Sequence, residues 1–581
     1  MSNSELLKLV EERAGLWLDP FYDEETRAEV QRMLSSEDKT ELIDSFYRDL
    51  EFGTGGLRGI MGAGSNRMNR YTIGAATQGM CNYLKKSFPE LPEIKVVIGH
   101  DCRNNSRLYA ETCAGIFAAN GIRALVFEDL RPTPEMSFAI REYGCQSGII
   151  ITASHNPPEY NGFKAYWDDG AQLVAPHDEA VIGEVLAMKH ENILFDGPQE
   201  LITGLGAETD EKFIEMVKSA SLSPELVQKY HDLKIVYTPI HGTGVKLVPM
   251  ALRAYGFTNI INVPEQDVVS GNFPTVVSPN PEEPAAMKMA IEKAVETDAD
   301  VVMATDPDSD RLGVATRNLK GDFVIINGNQ TALLFIYYII GKMRENGTLK
   351  GNEYVVKTIV STEVIAEIAR KNQIEYYDVY TGFKFIAEVI RENEGVKKYI
   401  GGGEESFGFL PADFVRDKDA VTSIAMMAEI VAWARSKGKT LYELLLDIYI
   451  EYGYSKEKTI SVTRKGQSGA AEIQAMMVGF RENPPLAIGG SPVVWVKDYE
   501  SLVSKNPATG ESVPINQKTS SNVLQFLTGN GTKISVRPSG TEPKIKFYFE
   551  VKGVLNAYDG LDEAEADVDR RIDAMVKELG L

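Results

Sequence analysis

Between Thr152 and Lys164 the chain reads Thr-Ala-Ser-His-Asn-Pro-Pro-Glu-Tyr-Asn-Gly-Phe-Lys, which sets the Ser154 hydroxyl beside the His155 imidazole, with the Lys164 ammonium ten residues on. The apolar run Gly148-Ile149-Ile150-Ile151 reads as a buried strand, and the His-Asn-Pro-Pro segment as a turn. In open α/β sheets, ligands bind at loops that follow the carboxyl ends of strands, so Ser154 is placed as a reacting group. The same residue types also build ordinary turns, and the local chemistry leaves both readings open.

Three further segments carry chemistry. Asp306-Pro307-Asp308-Ser309-Asp310-Arg311 crowds three carboxylates at alternate positions, a group that repels itself unless protonated or neutralised by a cation. Hard oxygen ligands of this kind suit Mg²⁺. An EF-hand loop opens similarly, but its sixth position is here Arg311 instead of Gly and its twelfth Arg317 instead of Glu. In Gly401-Gly402-Gly403-Glu404-Glu405-Ser406-Phe407-Gly408, a carboxylate (Glu404) and a hydroxyl (Ser406) two residues apart can face one side of an extended segment and grip sugar hydroxyls. Arg537-Pro538-Ser539-Gly540-Thr541-Glu542-Pro543-Lys544 combines a guanidinium, two hydroxyls and a tight turn, the parts of a phosphate nest.

The elements that must position these segments follow an α/β rhythm. Strands are predicted at 94–99, 122–127 and 147–151, with helices at 106–119 and 134–143. A second cycle has strands at 234–237, 260–263 and 300–304 and helices after Gly244 and near 283–297. A third has strands at 354–360, 374–379 and 398–400 with helices after Thr362 and Phe383. Each cycle ends in a strand feeding a polar or glycine-rich loop: 152–164, 305–311 and 401–408. Residues 1–50 read as a charged helical extension. Beyond about residue 450 the strands shorten, 483–522 is turn-rich, and a last helix falls near 563–579. The expected fold is α/β, with four domains around a central cleft: three similar α/β units with mixed sheets and a fourth, smaller α+β domain. The boundaries drawn are 1–50, 51–205, 206–325, 326–450 and 451–581.

A chain of 581 residues exceeds a single core, and domain sizes suggest about three to five units. The formal charge of −22 argues against nucleic acid or an anionic membrane as partner, so any phosphate must meet locally basic loops within an acidic envelope. Cys81, Cys102, Cys113 and Cys145 show no paired or metal-ligand spacing, which suits reduced thiols. The amino terminus lacks an apolar signal core, and the longest apolar run, 332–340, is far short of the roughly 20 residues that a span needs. A cytoplasmic protein is expected.

The wording and order of these segments resemble the α-D-phosphohexomutases, the family of phosphoglucomutases and phosphomannomutases. The resemblance spans roughly residues 45–550, with all four loops in order, and is weakest over 480–525. It implies that Ser154 carries a phosphoryl group, lent to a sugar phosphate and then recovered. It implies one Mg²⁺ per active site on Ser154, Asp306, Asp308 and Asp310, with Arg311 adding fixed charge. Glu404 and Ser406 become sugar-hydroxyl ligands, and Thr381, Gly382, Lys384 and Lys418 substrate contacts. Arg537, Ser539, Gly540, Thr541 and Lys544 hold the phosphate that is not reacting. The segment 53–59 resembles the family's glycine–arginine element, with Arg58 entering the active site; it is not a dinucleotide fingerprint. Lys164 is the candidate general acid or base, which as a base needs a lowered pKa that neighbouring cations would supply. His155 supports the phosphoserine loop, whereas His241 fixes a loop at a helix start.

Phe383 and Gly408 stand where some bacterial phosphomannomutase relatives carry histidines, so the resemblance points to a glucose-type member. The implied reaction interconverts glucose 1-phosphate and glucose 6-phosphate through bound glucose 1,6-bisphosphate, with small-molecule sugar phosphates as partners. The alternatives are a phosphopentomutase, a sugar-bisphosphate synthase, a Mg²⁺-dependent phosphatase, or a non-catalytic sugar-phosphate sensor. The sequence carries no signal for oligomeric state.

Overall fold

A computed structural model describes residues 3–53, 56–464, 466–539 and 544–581. The chain forms two compact units, residues 1–328 with 383–438 and residues 329–382 with 439–581.

The first unit holds two mixed sheets. In the six-stranded sheet the order is Gly56–Ile60, Tyr160–Trp167, Ser147–Ile151, Lys95–His100, Arg123–Phe127 and Ile202–Leu205. Its last four strands run parallel, while Tyr160–Trp167 and Gly56–Ile60 add an antiparallel edge. Ser147–Ile151 is buried along its whole length, as a central strand covered by helices on both faces must be. Apolar clusters fill both faces, one built around Ile98, Phe117, Ile149 and Phe163, the other around Met136, Ile140, Ile150 and Tyr166. The five-stranded sheet runs Phe323–Ile326, Leu312–Arg317, Val301–Thr305, Ile235–Thr238 and Ile260–Asn262. It too is parallel in its centre with an antiparallel edge. Helices Asn3–Leu16, Glu24–Ser35 and Thr40–Phe46 form the expected extension around Trp17, Tyr22, Phe46 and Tyr71. The strand Lys398–Gly403, paired with Phe409–Leu410, and the helices Phe383–Asn393 and Ala420–Ser436 complete this unit.

In the second unit Glu353–Thr358 and Glu375–Val379 pair in parallel, and the carboxyl-terminal region forms an antiparallel sheet that runs from the edge strand Ser455–Thr463 through Lys544–Lys552 and Lys533–Pro538 to Leu524–Thr528. Leu561–Glu578 is the last helix. Among the described residues no helix is long and apolar enough to cross a membrane.

Two expected loops are shorter than the sequence suggested. Residues 160–164 lie in the strand Tyr160–Trp167, so Lys164 projects from a sheet and not from a loop. Gly401–Gly403 likewise continue the strand Lys398–Gly403. In both cases sheet pairing extends into residues whose local composition favours turns, a tertiary effect that overrides propensity.

Candidate active site

Three strand ends of the first unit converge. The strand Ser147–Ile151 delivers Ser154, whose backbone takes a left-handed φ of +50°. The Ser154 amide donates to Thr152 Oγ1 at 2.9 Å. Its hydroxyl donates to Asp306 Oδ2 at 2.7 Å and lies 3.1 Å from His155 Nδ1. Asp306 is delivered by the fully buried strand Val301–Thr305, and its Oδ1 accepts the amides of Asp310 at 3.1 Å and Arg311 at 3.0 Å. The carboxylates therefore fold back on their own loop, which is why alternate positions in sequence face one point in space.

Asp306, Asp308 and Asp310 are buried, and each offers an oxygen within 4.8 Å of the others. Burial, and then the neighbouring charges of Asp308 and Asp310, push the Asp306 carboxyl well above its ordinary range. Burial also opposes ionisation of Asp310, but Lys164, Lys418 and Arg311 hold its carboxyl far below that range. Asp308 Oδ1 and Asp310 Oδ1 are buried without a hydrogen-bond partner. Orphaned hard oxygens beside a carboxylate under repulsion fit a divalent cation such as Mg²⁺. Asp308 is held from outside its loop, since Thr133 Oγ1 donates to its Oδ2 at 3.0 Å and the Thr133 amide to its carbonyl at 2.9 Å.

Lys164 Nζ donates to Asp308 Oδ2 at 2.7 Å and to Asp310 Oδ2 at 3.1 Å. Burial alone would lower its pKa; the two aspartates more than reverse that and raise it. This corrects the expectation of a lysine lowered by surrounding cations, because its immediate partners are anions. Lys418 Nζ, 3.2 Å from Asp310 Oδ2 and from Asp417 Oδ1, is likewise held protonated despite burial by Asp310, Asp417 and Glu404. Arg311 Nη1 reaches Glu282 at 2.6 Å, and the charge of Glu404 acts on Arg311 as well. The glycine-rich segment thus lies within electrostatic reach of the acidic one. Gly408 has a steric reason: a Cβ there would sit 2.0 Å from Lys418 Cδ. Arg58, exposed, donates to Asn156 Oδ1 at 3.3 Å.

Each of the three loops carries one non-glycine residue with positive φ, namely Ser154, Ser309 (+54°) and Phe407 (+65°). Each of their carbonyls is held from elsewhere, by Arg103, by the Ala420 amide and by the Leu312 amide respectively. Such residues persist only where surrounding structure over-determines them. Gly242 serves the same end, since a Cβ there would fall 2.4 Å from Pro307 Cα, and its neighbour Thr243 donates its amide to Pro307 O at 2.8 Å. His241 is buried, with Nδ1 2.7 Å from Val268 O and Nε2 2.8 Å from Thr275 Oγ1, fully occupied in fixing that loop.

Not every expected residue joins this cluster. Lys384 lies 3.8 Å from Asp178. Thr381, Gly382, Arg537, Ser539 and Lys544 belong to the second unit. There the Ser539 amide donates to Lys544 O at 2.7 Å, closing the end of a hairpin. Gly540 and Thr541 lie outside the described residues. Ser406 is half-buried in the loop after Gly403. The sequence reading missed Arg103, Thr133 and Glu282. Arg103 had a findable signal, because Asp101-Cys102-Arg103 follows the strand Lys95–His100 at its carboxyl end; the others are set by tertiary contact alone.

Known proteins bear on this arrangement. Four family models match in chain order: phosphoglucomutase/phosphomannomutase alpha/beta/alpha domain I at residues 49–191, domain II at 211–321, domain III at 327–452 and the C-terminal domain at 502–568. A phosphoglucomutase of Staphylococcus haemolyticus is 37% identical over 518 residues, covering 87% of this chain and 91% of its own. One from Staphylococcus aureus is 35% identical over 547 residues, covering 92% and 95%. The solved structure of parafusin (phosphoglucomutase), an exocytosis-sensitive phosphoprotein from Paramecium, has a TM-score of 0.66 at 18% identity. It covers 91% of this chain and 96% of that one, a likeness of fold.

Proposed function

Because this chain belongs to the phosphoglucomutase/phosphomannomutase family, we propose that it interconverts glucose 1-phosphate and glucose 6-phosphate through a phosphorylated Ser154. The observation that carries the proposal is the Ser154 hydroxyl 2.7 Å from Asp306, beside the orphaned oxygens of Asp308 and Asp310. In the phosphorylated enzyme the seryl Oγ–P bond breaks as a bond forms to the 6-hydroxyl oxygen of glucose 1-phosphate. That hydroxyl loses its proton and Ser154 regains one. The product is bound glucose 1,6-bisphosphate, which reorients and returns its 1-phosphoryl group to Ser154.

Ser154, Asp306, Asp308 and Asp310 are assigned to one Mg²⁺. When bound, it would draw charge from the transferring phosphoryl group and make phosphorus more open to attack. Arg58 and Arg311 add fixed positive charge, and His155 holds the seryl oxygen. Lys164 is assigned the proton transfers at the reacting oxygens. Glu404, Ser406 and Lys418, with Thr381, Gly382 and Lys384, are assigned to the sugar and its contacts. Arg537, Ser539, Gly540, Thr541 and Lys544 are assigned to the phosphate that is not reacting. A cytoplasmic location belongs to the same proposal, and the four free cysteines suit a reducing compartment.

The test is a coupled assay with glucose 1-phosphate, Mg²⁺ and a trace of glucose 1,6-bisphosphate, run in parallel with ribose 1-phosphate. Preference for glucose 1-phosphate is expected. Preference for the pentose would move the substrate to the alternative mutase reading, and net release of phosphate would replace the mutase with a phosphatase.

A further inference from the structure

We infer that Arg103 is a positioning residue for Ser154, fixing the backbone of the phosphoryl-carrying loop so that Oγ faces Asp306. The inference rests on the reading of Ser154 as phosphoryl carrier.

The Arg103 side chain is fully buried and its guanidinium is spent on the loop. Nη1 donates to Pro157 O at 2.8 Å and to Tyr160 O at 3.0 Å. Nη2 donates to Ser154 O at 2.6 Å and to Asn156 O. One side chain thus gathers four carbonyls from a seven-residue stretch, beside the turn's own bonds from the Asn156 and Tyr160 amides. A planar fork of fixed donors can do this; a lysine ammonium, a single point of charge, cannot span the same carbonyls.

The arginine is itself held on three sides. Its amide donates to Asp101 Oδ1 at 2.9 Å, and its Nε lies 3.4 Å from Asp101 Oδ2. Ser106 Oγ donates to that same Asp101 Oδ1 at 2.7 Å. The ring of Phe273 lies beneath the guanidinium carbon at 5.0 Å. Phe273 comes from a loop that closes tightly on this region, for a Cβ on Gly271 would sit 2.4 Å from the Asn104 amide. Arg103 therefore links the loop bearing Ser154 to the region that also supplies the acidic cluster.

One of the four carbonyls that Arg103 holds belongs to Ser154, the residue in the left-handed region. A serine relaxes from that conformation when its carbonyl is released. The Cα–Oγ vector would then swing away from Asp306. Arg103 donates to carbonyls and not to the hydroxyl, so it acts through Ser154 without touching the reacting atoms.

The experiment compares wild type, Arg103→Lys and Ser154→Ala. Phosphoryl uptake from glucose 1,6-bisphosphate is followed by intact-protein mass, alongside kcat, KM and a thermal melt. Arg103→Lys is expected to melt cooperatively, with uptake rate and kcat down about 100-fold, the scale of a 1 Å misplacement, and KM little changed. Wild-type kcat, or a loss matched by the unfolded fraction, would overturn the inference. Should Arg103→Lys fail to fold, Asp101→Asn decides, because it removes the charge that orients the guanidinium and so weakens its hold on the four carbonyls. A fall in kcat at constant KM and melting temperature supports positioning, and wild-type kcat overturns it. If wild type itself takes up no phosphoryl group, the phosphoserine reading fails, and the role of Arg103 with it.

Discussion

Two buried clusters in this molecule use the same ingredients to opposite ends. In the first unit Lys164 and Lys418 meet Asp308, Asp310 and Asp417, and Asp308 and Asp310 group with Asp306, which accepts the Ser154 hydroxyl. In the second, Lys533 Nζ lies 2.8 Å from Glu363 and 2.9 Å from Glu550, while Lys357 Nζ lies 3.1 Å from Glu363 and 2.7 Å from Asp378. The second cluster is built from strand register. Lys533 stands opposite Glu550 and Lys357 opposite Asp378, so the sheet itself sets cation against anion. Burial opposes ionisation of Glu363, yet Lys533 and Lys357 hold its carboxyl well below the ordinary range. In the first cluster one loop forces three aspartates together, which drives Asp306 upward and leaves Asp308 Oδ1 and Asp310 Oδ1 without a hydrogen-bond partner. Charges matched across strands hold a fold together. Like charges confined to one loop raise one another's pKa, an arrangement that a divalent cation fits.

That contrast can be broken by substitution. The largest effect is expected at Ser154→Ala, which should lower kcat by roughly 10⁴-fold or more, as removal of a covalent nucleophile does. Its melting temperature should stay near wild type; substantial residual turnover would remove the phosphoserine from the mechanism.

Asp306→Asn should cost about 10²–10³ in kcat, the scale of losing one preorganised electrostatic partner. In EDTA it should melt no lower than wild type, because it relieves repulsion. It should also lose most of the Mg²⁺ thermal shift, which for wild type corresponds to about 2.7 kcal/mol at a hundredfold excess over Kd. A strongly destabilised Asp306→Asn protein in EDTA would show that the two clusters are alike after all.

Lys533→Met should do the reverse, destabilising the second unit by about 3–5 kcal/mol by stranding Glu550 and leaving Glu363 with Lys357 alone, while the Mg²⁺ shift survives. A denaturant melt with and without Mg²⁺ checks both parts.

The smallest effect concerns Glu457, whose carboxyl is pushed up to about 7 by burial and then by Glu550. A raised carboxyl binds its proton more tightly when folded, so stability falls as pH rises from the unfolded value through about 7. Glu457→Gln should therefore be more stable than wild type by up to about 3 kcal/mol at pH 8 and equal to it at about pH 4 and below. Equal melting temperatures at both values would show that the acid is solvated.

Much of this was legible from residue order. The helix Ser106–Ala119 and the strand Ser147–Ile151 lie where apolar periodicity puts them, because a covered central strand and an amphipathic helix have different periods. The acidic triplet announced its self-repulsion before any fold was known. The edge strand Tyr160–Trp167 was not legible, because its residues become a strand only by pairing with Gly56–Ile60 and Ser147–Ile151. The surroundings of Lys164 were hidden for the same reason.

The sequence by itself determined the candidate groups: a hydroxyl at a strand end, three crowded carboxylates, and the basic residues needed in an acidic chain. Those are covalent facts, and the self-repulsion of the three carboxylates follows from their spacing along the chain. Only the tertiary structure decided which charges meet. It set Asp308 and Asp310, and not cations, against Lys164, and brought Thr133 onto Asp308 from the first sheet's side. It also folded Arg103 beneath four carbonyls of the loop that presents Ser154. Coulomb energy and hydrogen bonding depend on distance through space, and distance between residues so far apart along the chain is fixed by how sheets and loops pack.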